Sequence, residues 1–180
     1  YSNTGSFQGS PTWVSGLGGN TAVAFNGTTD MVLIDDIPAY DSFPELTLSA
    51  WIYPTANNQS QSIIFKSAWG SSEREFTFNY TNLNKIAFTL SNDGASVPLN
   101  IQGNPDSIVT NAWNHVAATW DGAQAKVYVN GVLESQSAYN GSIYNSASNI
   151  QIGGYYKFVN HSTPYDFFSG NIQNVEILKV

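Results

Sequence analysis

The sequence predicts an all-β protein, a sandwich or barrel of many short strands, and three observations carry that prediction. Apolar and polar residues alternate along most of the chain, helical periodicity is nearly absent, and glycine-containing turn signals cut the alternation into short pieces. Leu46, Leu48, Ala50 and Ile52 fall on one face of a strand, with Thr47, Ser49 and Trp51 on the other. The continuous run Ile63-Ile64-Phe65 reads as a strand covered on both faces. Phe76, Phe78 and Tyr80 alternate with Thr77 and Asn79, and Ile86, Phe88 and Leu90 with Ala87 and Thr89. Further on, Val116, Ala118 and Trp120 form one row, Ala125, Val127 and Val129 the next, and Ile150 and Ile152 a third.

Asp121-Gly122 and Asn130-Gly131 separate these late runs. Both dipeptides tolerate the positive φ of a tight type I′ hairpin, so 113–120, 123–129 and 132–138 are expected to form a meander. In the last segment Ile172 sits on an even position while Val175 and Ile177 sit on odd ones. Either a β-bulge at Gln173-Asn174 keeps one buried face continuous, or Val175 lies on the opposite face. Roughly eleven to thirteen strands are expected, with no long helix and no linker or internal repeat dividing the chain. A single domain spanning 1–180 is the economical reading.

Composition narrows the function classes. The 180 residues carry 13 acids against 6 bases, a net charge of −7, which argues against binding nucleic acid or anionic membrane surfaces. There is no cysteine, so disulfides, thiol catalysis and cysteine-ligated zinc are excluded. No apolar run approaches the length of a membrane span, and no signal segment opens the chain. The start at Tyr1-Ser2-Asn3 suggests an excised domain or a mature product. Polarity is carried by Asn, Ser, Thr and Gln, a leaning common in extracellular, viral and adhesive proteins. Five Asn-x-Ser/Thr triplets, at Asn26, Asn58, Asn79, Asn140 and Asn160, match the glycosylation signature, although chance matches are expected in so Asn- and Ser-rich a chain.

Several segments, in order, resemble one family. Ala22-Val23-Ala24-Phe25-Asn26-Gly27 leading to Asp30-Met31-Val32 is similar to the opening motif of laminin-G-like jelly rolls, and Leu46–Pro54 to their next strand. The most specific match is Trp113-Asn114-His115-Val116-Ala117-Ala118-Thr119-Trp120-Asp121-Gly122, followed by Val127-Tyr128-Val129-Asn130-Gly131. Ile150-Gln151-Ile152-Gly153-Gly154 and Phe168-Ser169-Gly170-Asn171-Ile172 resemble the closing segments. The chain is thereby identified as a laminin-G-like member of the concanavalin A-like lectin/glucanase superfamily. The resemblance implies a two-sheet antiparallel jelly-roll sandwich, one sheet concave and one convex. Carbohydrate-binding modules, adhesion domains and enzymes all use that fold, so function has to come from a site.

Parity assigns Trp120 to the core with Val116 and Ala118, and puts His115 on the other face, where a structural role is expected. Glycan-cleaving relatives carry paired carboxylates on a strand, and the run that marks them is missing. Glu73 and Glu75 share parity across Arg74, the only arginine, and are expected to form a solvated hairpin end. Asp35-Asp36 likewise reads as a solvated turn. A glycine-x-serine-x-glycine elbow is also missing, and two His without Cys give too few zinc ligands. The expectation is a protein without enzymatic activity.

Sugar recognition needs flat aromatic faces and planar polar groups. The connection from Gly154 to Phe168 concentrates both, and Tyr155, Tyr156, His161, Tyr165 and Asp166 are its candidate ligand-binding residues. Trp69, in a loop with polar neighbours, is a further candidate platform, and Trp13 is expected to be a packing anchor. The resemblance also implies a structural Ca²⁺ near the opening motif and the closing strand. Asp30 matches the opening-motif acid, whereas the closing strand carries Gln173 and Asn174 in place of acids, leaving Asp30 and Asn174 as candidate ligands. The expected function is a carbohydrate-binding or adhesion module of an extracellular, cell-surface or virion-surface protein, with a glycan or a surface protein as partner and a larger protein or assembly around it. The alternative is a structural or protein-interaction domain of a capsid, tail or surface appendage, and a glycan-cleaving enzyme is the third class.

Overall fold

The computed structural model describes residues 4–56, 59–160 and 164–179. The early strands are β1 (Ser6–Gln8), β2 (Thr12–Ser15), β3 (Thr21–Asn26), β4 (Met31–Ile34), β5 (Leu46–Pro54) and β6 (Gln61–Ala68). After them come β7 (Glu73–Thr81), β8 (Lys85–Leu90), β9 (Leu99–Gln102), β10 (Asn114–Trp120), β11 (Gln124–Val129) and β12 (Val132–Ala138). The late strands are β13 (Ile150–Ile152), β14 (Tyr155–Tyr156), β15 (Pro164–Tyr165) and β16 (Ser169–Lys179). The described residues contain no α-helix, only three single 3₁₀ turns. The sixteen strands of the described residues exceed the expected number, because pieces such as β1, β14 and β15 are short and carry no alternation in the sequence.

Two seven-stranded antiparallel sheets face each other. One has the order β1-β4-β13-β6-β7-β8-β9 and the other β12-β11-β10-β5-β16-β3-β2. The alternating rows explain the pairing. Phe76, Phe78, Tyr80, Ile86, Phe88 and Leu90 point inward from the first sheet, and meet Leu48, Ala50, Ile52, Val116, Ala118 and Val127 from the second. Every one of these side chains is buried. Aliphatic rows of this kind contribute roughly 1.5–3 kcal/mol per buried side chain. Trp120 joins the core, its indole N–H donating to the Tyr139 carbonyl at 2.9 Å.

Local geometry refines the expected turns. Asn130 and Gly131 both take positive φ, as a type I′ hairpin requires. Between β10 and β11 only Gly122 does; there the Asp121 carboxylate caps the turn, accepting from the N–H groups of Ala123 and Gln124. In β16 the register against β5 shifts between Gln173 and Glu176, and Asn174 has φ 50°. This bulge lets Ile172 lie in the core while Val175 and Ile177 pack against its margin.

Three single-residue expectations are overturned. Trp13 is 65% exposed, its ring 5.7 Å from that of Phe7, because β2 is the edge strand of its sheet. Glu75 is buried, not solvated. A register shift between Lys66 and Ser67 turns it toward Lys66, which is also fully buried. Lys66 donates to Glu75 at 2.6 Å and to the Ser146 carbonyl at 2.7 Å, and pairs with Asp36 at 3.1 Å. Asp36 is therefore part of an ion cluster and not a free solvated turn.

Candidate functional site

The first sheet's outward row forms the floor of a groove of about 270 Å³. It follows from the inward row: where Phe76 and Phe78 face the core, Thr77 and Asn79 must face out. Register aligns Phe65, Thr77, Thr89 and Asn100 as one rung across β6, β7, β8 and β9. Asn79, Ala87 and Gln102 form the next rung across β7, β8 and β9. The floor carries hydroxyls and amides but no charge. The Thr77 and Thr89 hydroxyls bond each other at 2.7 Å, which fixes the middle of the rung.

The wall stands at β6. The short β14–β15 hairpin folds over that strand, and Tyr155 stacks on Phe65 at 4.7 Å with an interplanar angle of 14°. Tyr165 flanks Tyr155 at 6.0 Å. Asp166 and Ser60 line the groove on one side of this stack and Trp69 on the other. Trp69 is exposed and carries the Arg74 guanidinium 4.5 Å from its ring centroid. Asp166 has φ 47°, a left-handed conformation unusual for an aspartate, and its carbonyl accepts the Ser62 N–H at 2.7 Å.

Burial dominates the electrostatics. Desolvation pushes the Tyr155 hydroxyl up to about 12, with Asp166 and Tyr165 adding to it, so it remains a neutral donor and acceptor throughout the physiological range. Burial also raises the Asp166 carboxyl, partly offset by a hydrogen bond from Ser60.

The candidates read from the sequence divide. Tyr155, Asp166 and Trp69 come together around the groove, and Tyr165 supports Tyr155. Tyr156, one residue on, faces away into a separate small pocket with Phe158 and Val159. His161 and Asn58 lie outside the described residues. His115 is on the other sheet, its ring 5.1 Å from Trp51. Sequence reasoning missed Phe65 and the polar floor, although their outward parity was visible in the alternation. Gly70 holds the Trp69 loop to the hairpin: its N–H donates to the Lys157 carbonyl at 2.7 Å, and a Cβ there would strike the Phe158 ring.

The Ca²⁺ expectation does not fit these residues. Asp30 is buried, one oxygen accepting the Ser10 N–H at 2.8 Å and the Thr29 hydroxyl at 3.2 Å, the other the Asn26 N–H at 3.1 Å. Calcium requires six to eight oxygen ligands, whereas Asp30 is ringed by donors. Asn174 sits on the bulge of the second sheet. Among the described residues no three His, Cys, Asp or Glu side chains gather to hold a metal ion. Asp30→Ala should therefore cost about 2–3 kcal/mol through lost hydrogen bonds to a charged acceptor. Addition of a chelator should leave the melting temperature of wild type and variant unmoved; a chelator-induced fall would restore the metal.

Two facing antiparallel sheets, with a polar groove on one outer face walled by aromatic rings, define a jelly-roll sandwich domain. Residues 25–180 match the Laminin_G_3 family model, and the chain belongs to the concanavalin A-like lectin/glucanases superfamily. No curated protein matches the sequence. Among solved structures, domain 4 of AbnA, an extracellular arabinanase of Geobacillus stearothermophilus in complex with arabinotriose, is similar at 19% identity and TM-score 0.65. That match covers 94% of this chain and 75% of the other. The binding domain of botulinum neurotoxin DC in complex with SialylT is similar at 16% identity and TM-score 0.70, over 99% of this chain and 43% of that one. The binding domain of Paraclostridial mosquitocidal protein 1 reaches TM-score 0.72 at 12% identity, over 98% of this chain and 44% of that one. At such identities the likeness is one of fold. The chain spans less than half the length of the two toxin binding domains.

Proposed function

We propose that this chain is a non-catalytic carbohydrate-binding module of an extracellular or surface protein. The observation that carries the reading is a wall of aromatic rings, Tyr155 stacked on the buried Phe65 with the exposed Trp69 beside it, next to an uncharged floor of amides and hydroxyls. Ring faces suit the apolar side of a sugar, and planar amides suit its hydroxyls. A glycosidase needs two carboxylates across the scissile bond, and among the described residues Asp166 is the only carboxylate lining the groove. Glu75 is held by Lys66 and Ser146, and Glu73 accepts the Ala147 N–H. The sugar-bound domain of AbnA supports the same reading. A glycan array probed with the wild-type domain and with Tyr155→Ala tests it. Binding that the substitution removes, without release of reducing sugar, is expected; an array silent at high protein concentration overturns the proposal.

A protein-interaction role is the second reading. Its specific support is an apolar cleft of about 280 Å³ between the sheet edges, beside the exposed Trp13 and Phe7.

A further inference from the structure

We propose that the groove recognises the end of a linear oligosaccharide and not its interior, an inference that rests on the glycan-binding reading above. The groove is closed at one end and open at the other. At the closed end the β14–β15 hairpin covers β6, so a chain lying across the strands cannot continue toward β13. This wall is fixed. Asp166 is tied to Ser62, the Phe168 N–H donates to the Gly153 carbonyl at 2.8 Å, and the Tyr156 N–H to the Gln151 side chain at 2.5 Å. The following loop is docked as well, the Val159 N–H meeting the Ser71 hydroxyl at 3.2 Å. At the opposite end β9 is the last strand of its sheet, and Asn100 and Gln102 are exposed on it.

The dimensions fit a short run of sugars. Strands are spaced about 4.8 Å apart, so the rung from Phe65 on β6 to Asn100 on β9 spans about 14 Å. A sugar ring occupies roughly one strand spacing, on the order of 5 Å, which gives about three positions. The terminal ring lies against the wall at Tyr155, flanked by Asp166 and Trp69. The second lies over Thr77, Thr89 and Asn79, and the third over Asn100 and Gln102, from where the chain leaves past β9. Asp166, which lines the closed end, then meets the hydroxyls that only a chain end presents.

The test uses arabino-, xylo- and cello-oligosaccharides of two to six units, together with their parent polysaccharides, in titration calorimetry. For the series that binds, affinity should rise to about three units and then level off. Cutting the polysaccharide with an endo-acting hydrolase, at constant sugar mass, should raise the number of bound domains in proportion to the ends created. Asn100→Ala combined with Gln102→Ala should weaken trisaccharide binding several-fold and leave disaccharide binding unchanged, whereas Tyr155→Ala should weaken every length. Both positions on β9 are exposed, so melts should be unaffected. Domain binding that scales with polysaccharide mass and ignores the number of ends overturns the inference while leaving glycan binding intact. An equal loss for disaccharide and trisaccharide in the β9 variant overturns the assigned direction. No binding across the panel counts against the proposed function itself.

Discussion

Lys66→Met should lower the stability at pH 8 by about 3–5 kcal/mol, the size of effect found when one partner of a buried ion pair is removed. Lys66 and Glu75 are both fully enclosed, and among the described residues the Lys66 ammonium is the only cation paired with the carboxylate. Without it Glu75 keeps only the Ser146 N–H and hydroxyl, at 2.9 and 3.0 Å, against the cost of burying a charge. Among the described residues its second oxygen has no hydrogen-bond partner. The cluster also ties together distant segments, β6, β7, the Asp36 turn and the loop at Ser146, so the loss should appear as lower global stability and not as local fraying. Urea denaturation at fixed pH measures it, and a change below 1 kcal/mol would mean that the pair is not buried in solution.

The same cluster sets the pH dependence. Burial pushes the Glu75 carboxyl up to about 7 against the opposing pull of Lys66 and Ser146, from an unfolded value of 4.5. Between those two pH values the folded protein retains a proton that the unfolded chain has released, so stability falls as the pH rises from about 4.5 to about 7. The exposed Asp93 acts in the reverse sense at lower pH. Hydrogen bonds from Ser96 and Ala95 hold it down at about 2, so its contribution is present above 3.8 and lost as the pH drops toward 2. The melting temperature should therefore be higher near pH 5 than near pH 8. Glu75→Gln should flatten that slope, and the penalty of Lys66→Met should shrink at pH 5, where Glu75 is neutral. A melting temperature that climbs steadily from pH 5 to pH 8 would contradict the assignment.

The Glu75 cluster also marks where the sequence stops being informative. The strand rows were legible because alternation is a local pattern: Thr77 between Phe76 and Phe78 has only one face available. Glu75 would have followed Thr77 outward under unbroken parity, and it turns inward only because the pairing of β6 with β7 slips beside Lys66. A slip of that kind is decided by two strands together. The groove has the same character. The outward rows of β7, β8 and β9 could be read one by one, but the order that sets β13 beside β6, and so brings the β14–β15 hairpin over Phe65, is a property of the whole sheet. The aromatic richness of 154–168 pointed to this connection without saying which ring faces which way.

That choice of ring is the sharpest test of the site. Tyr155→Ala should weaken glycan binding by about thirtyfold, roughly 2 kcal/mol, the size of effect found for an aromatic hot-spot residue. Tyr156→Ala should change it less than about twofold. The two residues are adjacent on β14, and strand geometry sends their side chains to opposite sides. Tyr155 stacks on Phe65 over the groove, while Tyr156 turns toward Phe158 and the pocket behind the wall. Both are partly buried, so stability has to be measured alongside affinity. Tyr155→Phe separates the two contributions of the ring. It keeps the stack and removes the hydroxyl that burial holds neutral, so an intermediate loss assigns part of the binding to that hydroxyl as donor or acceptor. If Tyr156→Ala proves the more damaging of the pair while its melt is unchanged, the ligand sits behind the hairpin, and the groove over β6 to β9 is not the binding site.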